Sequence, residues 1–276
     1  MTTADISARV WWPIADSWVV TLRNLRRATR IPEMVVFAAV QPVMLVLLLS
    51  YVFGNAIKMP ETGSYRELLI PGIFTQTLAL TSAVTAIGVA DDLHKGLLDR
   101  FRSLPMARSA FLAGRTIADL LQNLVVLTIM SGCGLIVGWR IHDGLAKAVG
   151  GYALLLLFGY AMSWIGVWIG LSVRAPEAAQ SAVFIWLYPL TFLSNAFVPV
   201  SSLPGFLAQV AQWNPVSPTV LAVRQLFGDP TGSGIGHQMS AFPLLHPALC
   251  SLGWSVFLLA VFVPLSVHKY KVKLSR

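Results

Sequence analysis

The segment Asp91–Arg115, DDLHKGLLDRFRSLPMARSAFLAGR, is the most charged part of an otherwise apolar chain and lies between two long apolar runs. Of the 276 residues, 56% are hydrophobic and only 12% are charged, whereas soluble domains carry roughly 25% charged residues. The composition therefore predicts an all-α integral membrane protein, in which this charged segment connects two membrane-spanning helices.

Outward from this connection, six apolar segments approach the roughly 20 residues that a helix needs to cross the hydrocarbon core. They are Met34–Phe53, Leu69–Ala90, Ile117–Gly138, Val149–Leu171, Ala179–Val198 and His246–Val267. We therefore expect one transmembrane domain with six transmembrane helices over residues 33–270. An N-terminal segment, residues 1–32, precedes it, and a basic tail, residues 271–276, follows it.

The distribution of lysine and arginine predicts how these spans are oriented. If the N-terminus lies inside, fifteen of the twenty lysine and arginine residues lie inside. The outside segments hold only the other five, namely Lys58, Arg66, Arg140, Lys147 and Arg224. Since cytoplasmic loops carry the excess of positive charge, both termini and the 91–115 connection are predicted to be cytoplasmic. The net charge of +8 is thus attributed to membrane orientation, and no nucleic-acid-binding module is found.

The N-terminal segment is predicted to contain an amphipathic helix that lies in the plane of the membrane interface. Arginines crowd most of this helix, and four apolar residues fall on its remaining face. These four residues are Ile14, Trp18, Leu22 and Leu25. This pattern is typical of interfacial helices. The alternative is a basic flank that only follows the positive-inside rule.

Between the fifth and sixth spans, the sequence contains two apolar pieces, 206–213 and 220–227, that are far too short to span a bilayer. Short apolar pieces bounded by prolines are typical of re-entrant or interfacial helices. The residues that mark these predicted extracellular re-entrant helices are Pro199, Pro204, Asn214, Pro215 and Arg224. The polar stretch GDPTGSGIGHQ, residues 228–238, predicts a flexible loop.

The connection between the second and third spans predicts a short cytoplasmic amphipathic helix over Asp91–Leu104. Its apolar stripe consists of residues three or four apart, namely Leu93, Leu97, Phe101 and Leu104. Pro105 ends the helix, because proline cannot extend the hydrogen-bond ladder and disfavours a helical residue before it. Such a helix either lies flat on lipid or inserts into a groove on a soluble partner.

Several kinds of catalytic site are missing from the sequence. No G-x-x-x-x-G-K-[ST] motif occurs, so the chain is not expected to bind ATP through a P-loop. Neither H-E-x-x-H nor G-x-S-x-G occurs, and no Cys and His spacing suggests a metal site. We therefore expect no enzyme activity, no catalytic residues, no metal and no cofactor in this chain.

Some polar and aromatic residues inside the spans leave two interpretations open. Asp119, Gln122 and Asn123 share one face of the third span, and in a bilayer such a face must point at protein or water. They form either a substrate-lining or subunit-facing patch, or a patch near the cytoplasmic surface that bonds to water and neighbouring helices. The aromatic residues of spans four and five either line a substrate path or serve packing: Trp164, Trp168, Phe184 and Trp186.

Three stretches in this order resemble the ABC-2 family of ATP-binding-cassette permeases, and in particular its daunorubicin-resistance branch. They are QPVMLVLLLSYVFG (Gln41–Gly54), GLLDRFRSLPMAR with a following GR (Gly96–Arg115), and FVPVSSLPGFLAQVAQWNPVSPTVLAVRQLF (Phe197–Phe227). Together they span residues 41–227, which is most of the chain. Permeases for lipids, polysaccharides and lipo-oligosaccharides share this architecture, so the resemblance leaves the substrate open between these and a drug.

The resemblance implies the permease subunit of a plasma-membrane exporter that is driven by a separate ABC-type ATPase. Two permease chains, identical or different, would pair, and each would contact one of two ATPase subunits that bind ATP and Mg²⁺. The coupling helix, Leu93–Leu104 with the following proline, would dock on the ATPase through Leu93, Gly96, Leu97, Arg100, Phe101, Leu104 and Pro105. A second cytoplasmic contact would lie in the loop Val173–Ala178, at Arg174, Pro176 and Glu177.

A different class of function remains open from the residues alone. An ATP-independent membrane assembly or signalling protein would also expose a cytoplasmic helix to a soluble partner. It would have no ATPase partner and would drive no ATP-dependent transport.

Overall fold

The computed structural model describes residues 16–26, 32–52, 65–96, 110–197, 204–229 and 242–275, without the side chains of residues 32–38, 110 and 274–275. Within these ranges the chain forms helices joined by turns and contains no strand. The helices are α1 (residues 16–26), α2 (Pro32–Val52), α3 (Tyr65–His94), α4 (Ala110–Val137), α5 (Gly144–Gly170), α6 (Pro176–Phe192), α7 (Gly205–Trp213), α8 (Val216–Phe227), α9 (Phe242–Leu245) and α10 (Pro247–Ser275).

Four of the described helices, α3, α4, α5 and α10, are long and apolar enough to cross a membrane. The chain is therefore an α-helical, multi-pass membrane protein. The other two predicted spans coincide with α2, which has 21 residues, and α6, which has 17. The last helix continues through Ser275, so most of the basic tail extends α10.

Helices α3 and α5 form the centre of the bundle and are largely buried, whereas most residues of α4 and α10 are only partly buried or exposed. The two central helices cross closely because glycine and other small residues line the crossing. A Cβ added to Gly166 of α5 would lie 2.2 Å from the carbonyl oxygen of Ser82 in α3. A Cβ added to Gly170 would lie 2.6 Å from the carbonyl oxygen of Ala86. Small residues let helix backbones approach in this way in membrane proteins.

The short helix α8 lies inside the bundle, and nearly all of its side chains are buried. Phe227 packs against Trp139 with ring centroids 5.3 Å apart, and Trp139 packs against Phe74 at 5.7 Å. The helix ends at Gly228, whose φ of 76° lies in the left-handed region that glycine adopts without strain. An apolar helix too short to span is therefore stabilised by burial among longer ones.

The prediction that the fifth span runs to Val198 is wrong at its C-terminal end, because α6 ends at Phe192. The side-chain amide of Asn214 donates hydrogen bonds to the carbonyl oxygens of Leu190 and Leu193, the latter at 2.7 Å. The last carbonyls of a helix have no partner within the helix. Asn214, which follows α7, provides that partner and stabilises the turn after α6.

The N-terminal helix α1 is present, but its buried face differs from the predicted apolar stripe. Val20 and Thr21 are buried against α4, where the Thr21 hydroxyl lies 3.1 Å from the carbonyl oxygen of Gly114. Trp18 is exposed, while Leu22 and Leu25 are half-buried. The contact with α4 adds protein packing to a helix for which the sequence predicts only lipid contacts. Ile14 lies outside the described residues.

The prediction of one continuous helix over Asp91–Leu104 is also wrong. Helix α3 continues to His94, after which Gly96 adopts a φ of 66°. A residue in the left-handed region interrupts a right-handed helix. Leu93 therefore belongs to the end of α3, where it packs against a buried cluster that includes Phe111. Residues 97–109 lie outside the described residues, and they include the rest of the predicted stripe.

The elements predicted to be cytoplasmic meet at one end of the bundle. A single buried cluster brings together Val20 of α1, Leu112 of α4, Leu171 after α5 and Tyr270 of α10, with Leu93 packed against it. The beginning of α3, the end of α4 and the end of α8 meet elsewhere, around Trp139. The bundle thus has an end formed by the predicted cytoplasmic elements, hereafter the connection end, and an opposite end.

Candidate functional site

A line of paired polar side chains, hereafter the polar seam, runs between α3 and α4. The hydroxyl of Thr85 donates to the carboxylate of Asp119 at 2.7 Å. One turn further from the connection end, the hydroxyl of Thr81 donates to the amide oxygen of Asn123 at 3.0 Å. Asp119 and Asn123 are both buried. Buried polar groups in a membrane protein need such partners, since lipid offers none.

At the connection end, the polar seam terminates in a partly buried arginine between two carboxylates. The guanidinium of Arg115 lies 3.6 Å from a carboxylate oxygen of Asp92 and 3.4 Å from one of Asp119. The two carboxylates are buried, and the arginine side chain is 13% exposed. Gly88 makes room for the arginine, because a Cβ there would lie 2.1 Å from the guanidinium.

The ion pair between Asp92 and Arg115 joins the two ends of the 91–115 connection. Asp92 stands two residues before the end of α3, and Arg115 lies in the second turn of α4. The pair therefore closes the base of the loop between them. A buried pair of this kind is costly to break, because each partner alone would be an uncompensated charge.

At the other end of the polar seam, α2, α3 and α4 enclose a cleft of about 140 Å³. Its lining combines uncharged polar groups with apolar ones. The lining residues are Gln41 and Pro42 of α2, Thr77, Leu80, Thr81 and Val84 of α3, and Gln122, Asn123 and Val126 of α4. A cavity with an apolar body and a few converging polar groups is the usual form of a small-molecule site.

At the opposite end of the bundle, a fully buried arginine holds three segments together. The guanidinium of Arg224 in α8 donates to the carbonyl oxygen of Leu68 at 2.9 Å and to that of Asn195, also at 2.9 Å. It further lies 3.4 Å from the carbonyl oxygen of Ala196. The three acceptors belong to the first turn of α3 and to the turn after α6. Arg224 thus ties α8 to both.

The prediction of a flexible loop over residues 228–238 is wrong at its start, because Asp229 is buried. Its backbone N–H donates to the carbonyl oxygen of Arg224 at 3.1 Å and completes the end of α8. Burial raises the pKa of the Asp229 carboxyl to about 8, while the nearby Arg224 guanidinium acts in the opposite direction. Burial therefore favours the neutral form of this acid.

Comparison with known proteins identifies the family to which this arrangement belongs. The sequence profile of the family described as "ABC-2 type transporter" matches residues 16–227, from α1 to the end of α8. The chain belongs to the ABC-2 type transporter family. The matched region contains the connection, the polar seam, the cleft and Arg224, whereas Asp229 lies just beyond it.

Individual relatives of this ABC-2 chain are permease proteins. It is 32% identical over 257 residues to the daunorubicin resistance ABC transporter permease protein DrrB1 of Streptomyces coeruleorubidus, covering 92% of this chain and 86% of that protein. It is 26% identical over 255 residues to the probable doxorubicin resistance ABC transporter permease protein DrrC of Mycobacterium tuberculosis, covering 92% and 88%. A more distant relative is the putative transport permease ycf38 of Cyanophora paradoxa, 22% identical over 254 residues, covering 90% and 85%.

The polar residues predicted on the third span divide between the two interpretations. Asp119 is bonded to its neighbours Thr85 and Arg115. Gln122 and Asn123 line the cleft. A role of these residues in a substrate path or at a dimer face stays a prediction.

The four aromatic residues predicted for a substrate path do not line the cleft. Trp164 is buried in the cluster at the connection end. Trp168, Phe184 and Trp186 pack against a second core cluster around α3, α5 and α6. Phe184 stacks on Tyr188, with ring centroids 4.8 Å apart. Their packing within the bundle explains their position without a ligand, and the substrate path through them stays a prediction.

The predicted second contact lies in the turn between α5 and α6 at the connection end. Arg174 and Glu177 are exposed there, and Pro176 begins α6 at a position where proline is well tolerated. The ammonium group of Lys269 in α10 donates to the hydroxyl of Ser172 in the same turn at 2.6 Å. The turn and the end of α10 therefore form one exposed basic surface.

The sequence pattern does not reveal the roles of Asp92, Arg115 and Arg224 inside the bundle. Asp92 and Arg115 lie in the segment predicted to be a cytoplasmic connection, and Arg224 is among the basic residues predicted to lie outside. A signal for Arg224 was available, because it is the one charged residue within the apolar piece 220–227. A charge inside such a helix needs internal partners.

Proposed function

We propose that this chain is the membrane-spanning subunit of an ATP-driven exporter, and that it exports amphipathic or hydrophobic drug-like compounds. The observation that carries this proposal is the extended similarity to the daunorubicin resistance permease, which covers nearly the whole of both chains. ATP and Mg²⁺ would be bound by a separate ABC-type ATPase, since the sequence has no P-loop of its own.

We further propose that two permease chains pair, that each docks one ATPase subunit, and that both termini are cytoplasmic. The biased distribution of lysine and arginine supports this orientation. The gathering of the predicted cytoplasmic elements at the connection end supports it too, because all of them then face the ATPase together. Exposed Trp18 on α1 suits the headgroup region on that side.

The connection between α3 and α4 is the proposed main contact with the ATPase. The ion pair of Asp92 with Arg115 closes the base of this connection. A movement imposed on the connection by ATP binding would therefore act on α3 and α4 together. The two helices carry the polar seam and the cleft. A movement of the contact surface would therefore also move these groups in the membrane interior. The exposed turn at Arg174 would form the second contact.

Leu97→Asp and Phe101→Asp are expected to weaken binding of the ATPase by about 30-fold. The reason is that a charged group replaces an apolar anchor at the interface, where a dominant contact contributes about 2 kcal/mol or more. The measurement is co-purification of the ATPase with the tagged chain, followed by titration of the detergent-solubilised partners.

The conservative variants Leu97→Met and Phe101→Leu provide the control, since they keep an apolar side chain and should retain binding. All four variants should insert into the membrane at wild-type levels. ATPase affinity that stays unchanged in both aspartate variants would refute the proposed contact through the connection between α3 and α4, although another cytoplasmic surface would still be able to bind the ATPase.

A further inference from the structure

The cleft between α2, α3 and α4 lies at the middle of all three helices. Pro42 is at the midpoint of α2, Leu80 is at that of α3, and Asn123 is at that of α4. If these helices cross the bilayer, the cleft is near its midplane. Lipid headgroups lie about 15 Å away on either side, at the edges of a hydrocarbon core about 30 Å thick.

The polar groups of the cleft are poorly matched to lipid tails. Gln41 and Gln122 bring amide groups to the lining, and Thr77 brings a hydroxyl. Acyl chains offer neither donors nor acceptors, so exposing such groups to them costs free energy. An occupant that returns hydrogen bonds would remove this cost.

The remaining lining selects an occupant that is largely apolar and reaches the cleft through the bilayer. Leu80, Val84 and Val126 supply apolar walls, and no charged side chain lines the cleft within the described part of the chain. Val84 is exposed at the edge of the cleft, which is therefore open at the side of the helix bundle. A volume of about 140 Å³ is smaller than a pocket that encloses a whole drug-sized ligand.

We propose that this cleft is a lateral entry site that takes a planar or compact amphipathic molecule directly from the bilayer. The inference rests on the proposed export function and adds the site and the chemistry of recognition. The apolar body of the molecule lies against Leu80 and Val126, and its hydroxyl, carbonyl or amide groups bond to Gln122, Asn123 and Thr77. The rest of the molecule stays in contact with lipid until it is transported.

Binding to the purified chain alone tests this inference without the ATPase. The chain is placed in lipid nanodiscs and titrated with daunorubicin, whose binding is followed by its fluorescence anisotropy. Thr77→Val and Gln122→Leu should each raise the dissociation constant about fivefold or more, because each removes a hydrogen bond in an apolar setting.

The matched control is Thr128→Val in α4. Thr77 and Thr128 both donate their hydroxyl to the carbonyl four residues earlier at 2.8 Å, but Thr128 is exposed and does not line the cleft. Thr128→Val should bind daunorubicin as the wild type does. Equal affinity in the wild type, Thr77→Val and Gln122→Leu would overturn the entry site while leaving the export function intact. A wild-type chain that does not bind daunorubicin would also overturn it.

Protection of a cysteine locates the bound molecule independently of affinity. In a chain whose Cys133 and Cys250 are replaced by serine, Val84→Cys should react with a membrane-permeable maleimide at least about threefold more slowly when daunorubicin is bound. Val125→Cys should show no change, because Val125 is similarly exposed but lies outside the cleft. If Val84→Cys is protected without the drug and also crosslinks to a second chain, another copy covers the cleft. That result would overturn the proposal.

Discussion

Arg224→Leu is expected to lower the free energy of unfolding by about 3–5 kcal/mol, because it leaves buried carbonyl oxygens without their donor and each such group costs about 1–3 kcal/mol. The guanidinium of Arg224 is fully buried and bonds to carbonyl oxygens at the start of α3 and in the turn after α6. Leucine fills part of the space but donates nothing. The carbonyls of Leu68 and Asn195 would lose these bonds.

The Arg224→Leu substitution also affects Asp229, which follows α8. Burial raises the pKa of this carboxyl, and the Arg224 guanidinium opposes part of that rise. In Arg224→Leu that stabilisation of the charged form is absent, so Asp229 should be neutral over a still wider pH range. Unfolding of the detergent-solubilised chain with sodium dodecyl sulfate, followed by tryptophan fluorescence and circular dichroism, measures the change.

Arg140→Leu is the control for this prediction. Arg140 also donates to backbone carbonyls, among them that of its neighbour Trp139 at 2.8 Å, but it is exposed. Its replacement should change the free energy of unfolding by no more than about 0.5 kcal/mol. Similar stabilities of Arg224→Leu and Arg140→Leu would mean that the buried hydrogen bonds do not hold α8 in place.

Gly166→Ala is expected to be strongly destabilising, although it adds only one methyl group. A Cβ at residue 166 would lie 2.2 Å from the backbone carbonyl oxygen of Ser82. A backbone atom cannot rotate away as a side chain can, so α3 and α5 would have to separate. We expect a loss of about 3 kcal/mol, at the upper end of what overpacking costs, measured by the same unfolding titration.

Gly132→Ala and Gly253→Ala are matched controls, since a Cβ at either glycine meets nothing within 4 Å. Alanine is the better helix former by about 1 kcal/mol, so both controls should be as stable as the wild type or slightly more stable. If Gly166→Ala behaved like these controls, the close crossing of α3 and α5 would not exist in the bilayer.

The helices themselves could be predicted because long apolar runs interrupted by charges carry a strong signal in sequence. Each of the six predicted spans overlaps a helix of the structure. The end of α6 could not be placed, since it depends on the amide of Asn214, which is 24 residues from Leu190 along the chain. The end of α3 is a comparable case. The left-handed conformation of Gly96 interrupts the helix, although the apolar stripe is regular in the sequence.

The candidate site was only partly predictable for a similar reason. The helical spacing of Asp119, Gln122 and Asn123 places them on one face of α4, and their role there stays a prediction. Their partners Thr85 and Thr81 on α3 could not be predicted, because they are ordinary residues in an apolar run and meet α4 only after folding. The partners of Arg224 could not be predicted either, because its acceptor Leu68 is 156 residues away. Composition and periodicity describe single helices, whereas the site is made between helices.

Reconstituted transport tests the central claim, that this chain is a drug-export permease driven by a separate ATPase. The chain is incorporated into proteoliposomes with the ABC-type ATPase that co-purifies with it, and daunorubicin movement is followed by fluorescence. We expect transport that needs both proteins, ATP and Mg²⁺, and that falls to background when the ATPase or ATP is left out. If the chain alone transported daunorubicin at the same rate without ATP, or if no ATPase co-purified with it, the chain would not be an ATPase-driven export permease.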